Sequence, residues 1–140
     1  MIDNTSREKF RVFLAEDNQD WITELSKMID EIGGVLVKTA TTLESAIEIM
    51  SKVEELKIDL IILGGSLDES YQPGGPDSLA ILILLLREQI KNPSLNKIKT
   101  IAFSGDVQSR LGEYVDKDIP KWRYQDLAPA ILALMAGEEV

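Results

Sequence analysis

Short apolar runs alternate with amphipathic stretches five times along this chain. The first run, Arg11-Val12-Phe13-Leu14-Ala15, carries residues that suit a strand. Trp21, Ile22, Leu25, Met28, Ile29 and Ile32 then recur at helical spacing, and Gly33-Gly34 ends that predicted helix. Val35 to Thr39 predicts a second strand. Leu43, Ala46, Ile47, Met50 and Val53 line a second helix, with Thr41 or Thr42 as its cap. Ile58-Asp59-Leu60-Ile61-Ile62-Leu63 has no polar alternation in its second half, as expected of a parallel strand covered on both faces.

The stretch from Gly64 to Pro76 is longer than most strand-to-helix loops and rich in turn formers, so mobility is expected there. A third helix begins near Asp77 or Ser78 and stops before Asn92-Pro93. Ile98 to Phe103 is the fourth strand, Val107 to Tyr114 a short fourth helix, and Val115 to Pro120 a weak fifth strand. A fifth helix carries Leu127, Ile131, Leu132, Leu134 and Met135. Strands alternating with helices at these lengths make parallel βαβ units, and right-handed crossovers leave few topologies. The expected fold is α/β: a doubly wound, flavodoxin-like sheet of five parallel strands in the order 2-1-3-4-5 with five helices. One domain spans 9–137, between tails at 1–8 and 138–140. Its chemistry belongs at the carboxyl ends of the strands.

Composition narrows the function. A chain of 140 residues, 44% hydrophobic, has enough apolar material for one globular core. It has no cysteine, which excludes disulfides and thiolate metal sites, and no histidine, which excludes histidine-dependent triads and zinc–histidine sites. The formal net charge of −9 argues against a nucleic-acid partner and against an anionic membrane surface. Met1 to Lys9 lacks a signal-peptide core, and the apolar run Leu79 to Leu86 is too short to cross a bilayer. A cytoplasmic location is expected.

At the strand ends, Glu16-Asp17 follows the first strand. Adjacent carboxylates repel, and a hard cation such as Mg²⁺ or a nearby lysine would offset that. Two solvated loop acids is the plainer reading of the pair alone. Ser104 closes the fourth strand, where a hydroxyl can bind an oxyanion or simply cap a turn. Lys121 follows the fifth strand, where a lone lysine is ordinarily a surface group. An acid pair, a hydroxyl and a lysine after three strands of one sheet are more specific together than any one of them.

On Val12-Phe13-Leu14-Ala15-Glu16-Asp17-Asn18, Asp59 to Gly64, Ile101 to Asp106 and Ile119-Pro120-Lys121, in that order, the chain resembles the receiver domain of two-component response regulators. The resemblance covers roughly residues 9 to 137. It implies that Glu16 and Asp17 hold Mg²⁺, that Ser104 binds a phosphoryl oxygen, and that Lys121 pairs with the phosphoacceptor. Lys117 is a rival for that last role, but it leaves too little chain after Ser104 for a helix and a strand.

The departures from the family pattern are as informative. The phosphoacceptor aspartate of the family falls on Gly64, which has no side chain. The usual Met-Pro beyond it becomes Leu67-Asp68, the proline after the lysine becomes Trp122, and the aromatic switch position becomes Asp118. The chain is therefore similar to a pseudo-receiver. Without an acceptor carboxylate, a Mg²⁺ site loses a charged ligand and weakens; no cofactor is required. Lys121 loses its partner and is expected to turn toward Asp17 or Glu16. Asp68 is a displaced acceptor candidate.

Two surfaces are candidate interfaces. The third helix is apolar from Leu79 to Leu86, so Ile81, Leu84 and Leu85 remain for a homodimer or partner unless neighbouring helices cover them. Trp122 and Tyr124, with Tyr114 nearby, are either edge packing or interface anchors. The expected function is a receiver-like, non-enzymatic signalling module that acts by binding a kinase or output protein. The alternative is a working phospho-receiver that uses Asp68 with Mg²⁺ at Glu16 and Asp17. A flavodoxin-like cofactor site is disfavoured, because Glu16, Asp17 and Asp20 would repel a phosphate.

Overall fold

The computed structural model describes residues 9–64, 98–104 and 116–136, and its centre is strand β1 (Phe10–Ala15). Around it stand β2 (Gly34–Ala40), β3 (Leu60–Leu63), β4 (Lys99–Ser104) and β5 (Lys117–Pro120). Every pairing is parallel, and the order is β2-β1-β3-β4-β5, as the alternating pattern predicts. Helices α1 (Gln19–Glu31) and α2 (Leu43–Met50) connect the first three strands, and a further helix, Leu127–Met135, closes the described chain. The third and fourth predicted helices lie outside the described residues.

The apolar runs of the strands are explained by cores on both faces. Val12, Phe13, Leu14 and Ala15 are all fully buried. Because successive side chains of a strand point to opposite faces, Val12 and Leu14 pack with Leu25, Ile29, Ile131 and Leu134, while Phe13 and Ala15 pack with Ala46, Met50 and Val53. Helix α1 and the C-terminal helix thus cover one face, and α2 covers the other.

Several boundaries differ from the sequence reading. Only Gly33, at φ 96°, ends the first helix, by adopting the left-handed conformation that glycine tolerates. Gly34 already belongs to β2, opposite Phe10. Strand β3 starts at Leu60 rather than Ile58, since the Ile58 N–H donates to Val53 O at 3.0 Å and lies off the ladder. Thr42 is the cap of α2: its hydroxyl accepts from the Ser45 N–H at 3.1 Å. In the C-terminal helix Leu132 is 46% exposed, and Ala130 takes the core position instead. Leu127, Ala130, Ile131 and Leu134 complete one helical stripe, and Leu132 falls beside it.

Candidate functional site at the carboxyl ends of the strands

Parallel pairing brings the residues that follow β1, β3, β4 and β5 to one end of the sheet. Glu16 follows β1, Gly64 follows β3, Ser104 closes β4, and Lys121 follows β5. Ser104 is paired in register with Pro120, so Lys121 is the next residue along the same edge. Lys117 opens β5, opposite Ile101, toward the other end of the strand.

The two adjacent acids part company. The Glu16 N–H donates to Ala40 O at 2.9 Å, which prolongs the β1–β2 ladder by one residue. Its side chain is only 1% exposed, whereas Asp17 is exposed. The plainer expectation of two solvated acids therefore fails for Glu16. The reason is local. Asn18 caps α1, its Oδ1 accepting from the Asp20 N–H at 2.9 Å and the Trp21 N–H at 3.2 Å. That turn aims the Asn18 N–H at Glu16 Oε2, 2.9 Å away. A carboxylate at the head of a helix is also favoured by the helix dipole. Asn18 directly before a helical run is the sequence signal that marks this cap.

Gly64 lies directly against that carboxylate. Its N–H donates to Ala15 O at 2.7 Å, so it continues the β3–β1 pairing and sits beside residue 16. A Cβ placed on Gly64 would overlap Glu16 Oε1 and would come to 2.9 Å from both Glu16 Cδ and Ala15 O. Among the described residues Gly33 is the only glycine with positive φ, so Gly64 is required here by the close approach and not by its backbone angle. The place of a Cβ at position 64 is held by the Glu16 carboxyl group, with the Ala15 carbonyl beside it.

Among the described residues, no group of three acidic or other metal-ligating side chains converges. The side chains of Ser104, Asp118 and Lys121 lie outside the described part of the structure, as does the expected contact between Lys121 and the acid pair. Asp68, Ile81, Leu84, Leu85 and Tyr114 lie outside the described residues altogether.

Beside the strand ends stands an aromatic cluster that the periodicity alone did not single out. Trp21 of α1 meets Phe103 of β4 edge-on, with centroids 5.0 Å apart, and meets Tyr124 at 5.3 Å. Tyr124 belongs to a 3-10 segment, Lys121–Asp126, that links β5 to the C-terminal helix. Burial pushes the Tyr124 phenol above its ordinary pKa; the Glu24 and Glu31 carboxylates push the same way, and so does a hydrogen bond with Glu24. The two interface candidates on this segment thus differ. Tyr124 is half-buried in the cluster, while Trp122 is 70% exposed with the Arg123 guanidinium 5.9 Å from its ring centre. Arg123 is held in turn by Asp126 at 2.6 Å. Next to them an open groove of about 360 Å³ is lined by Lys117, Pro120, Arg123 and Pro129 among others.

This arrangement is the fold of the response regulator receiver domain. A response regulator, RcsB of Salmonella typhimurium, superposes with a TM-score of 0.71 at 17% identity, over 96% of this chain and 63% of its own. A signal receiver domain from Colwellia psychrerythraea 34H gives 0.69 at 18% identity, over 91% of this chain and 99% of that one. A LuxR-family response regulator from Staphylococcus aureus gives 0.65 at 19% identity, over 89% and 98%. The chain thus spans under two thirds of the length of RcsB and nearly all of the other two chains. No family model matches the chain, nor does any curated protein.

Proposed function

We propose that this chain is a receiver-like signalling module of the two-component type that is not phosphorylated and works by protein–protein contact, without enzymatic activity. The observation that carries the reading is Gly64 at the end of β3, with the Glu16 carboxylate against it. Transfer of a phosphoryl group to a carboxylate needs that carboxylate in line with the phosphorus and a metal to neutralise charge. Position 64 supplies no carboxylate. Glu16 is committed inward to the Asn18 N–H, which leaves the exposed Asp17 as a poor anchor for Mg²⁺. Mg²⁺ demands near-octahedral oxygen ligands, and one loop acid does not provide them. On this reading the described residues hold the cation weakly at most. The exposed Trp122, braced by Arg123, is a surface of the kind that anchors partners.

Incubation with acetyl phosphate and Mg²⁺, followed by intact-mass measurement, tests this. The wild-type chain and Asp68→Ala are both expected to keep their unmodified mass. A gain of one phosphoryl group by the wild type would overturn the reading. Loss of that gain in Asp68→Ala would give the acceptor role to Asp68.

A further inference from the structure

We infer that Glu16 and Gly64 form one interlocked unit, in which the Glu16 carboxylate plugs the place of a side chain at position 64 and closes the strand-end site. The inference deepens the proposed function and rests on it for its meaning, but not for its test. Gly64 alone would be a mere deletion, leaving a hole that water or another side chain could fill. The structure shows instead that the space is taken. Glu16 is 1% exposed, its Oε2 accepts from the Asn18 N–H at 2.9 Å, and its carboxyl group overlaps any Cβ at position 64.

The backbone argument separates this from ordinary glycine use. Gly64 lacks the positive φ that would demand glycine whatever its surroundings. Alanine there meets no barrier from its own φ, but it meets the Glu16 carboxyl and, at 2.9 Å, the backbone carbonyl of Ala15. Shortening residue 16 by one methylene should therefore restore much of the room. Glu16→Asp suits the purpose, because an aspartate can still accept from the N–H two residues on. The consequence is that restoring an acidic side chain at position 64 is expected to require Glu16 to move as well. The incoming group would collide with a buried carboxylate and, if charged, be repelled by it.

A double-mutant cycle on the 140-residue chain tests the interlock, with denaturant unfolding followed by tryptophan fluorescence. Gly64→Ala is expected to destabilise the wild type and to cost much less in the Glu16→Asp background. The ratio of the two effects on the unfolding constant should be about tenfold, the size of direct coupling between touching residues. Part of the cost will persist, since the Ala15 carbonyl remains. Equal costs in both backgrounds would overturn the inference. Should Gly64→Ala fail to fold, recovery of a folded protein in Glu16→Asp/Gly64→Ala or Glu16→Ala/Gly64→Ala supports the interlock, and failure of both double variants overturns it. A phosphorylated wild type would remove the proposed function and leave this coupling intact, so the two failures are distinguishable.

Discussion

Tyr124 links three elements through one side chain, touching Trp21 and Phe103 with its ring and Glu24 with its hydroxyl. Its raised pKa means that the folded state holds the phenolic proton more tightly than the unfolded chain does. That stability is fully present below the unfolded value of about 10 and is lost as pH rises through the folded one. Stability should therefore fall in the alkaline range, and Tyr124→Phe should flatten that fall when thermal melts are compared across it. A Tyr124→Phe profile as steep as the wild type would disprove the assignment. Glu16 and Asp17 teach the complementary lesson. In the sequence they are adjacent, chemically similar acids, and nothing there says which is buried. The cap at Asn18 and the bare backbone of Gly64 decide it, through an N–H that donates to the Glu16 carboxylate and a glycine that lets that carboxylate approach.

At the scale of elements, the C-terminal helix, Leu127–Met135, is apolar on nearly every side, which made its core stripe hard to read. Periodicity separates stripes only when polar residues mark the outer face. Contacts with β1, β3 and β4 resolve it: Ile131 is fully buried and Leu132 is 46% exposed. Ile131→Ala should cost about 3 kcal/mol, the usual scale for truncating a packed aliphatic side chain. Leu132→Ala should change stability by less than about 0.5 kcal/mol, as surface substitutions do. Denaturant unfolding of both variants checks the contrast, and equal costs would refute the register. The strands were easier to read. Continuous apolar runs bounded by turn formers have few other interpretations once helices alternate with them.

At the scale of the whole molecule, the formal charge of −9 opposes the approach of a polyanion. The Staphylococcus aureus response regulator with this fold is a DNA-binding one, so the charge of this chain makes a prediction that can be checked directly. The chain should produce no mobility shift of duplex DNA even at low salt, where phosphate contacts bind most strongly. A salt-sensitive shift would contradict that. By itself the sequence determined the five-stranded parallel order, because hydrophobic period and crossover handedness are local rules that allow few arrangements. It also located the strand ends and the missing side chain at position 64. Only the tertiary structure decided what stands in that place. Position 64 meets Glu16 through the pairing of β3 with β1, a contact 48 residues apart in the chain that no local pattern encodes.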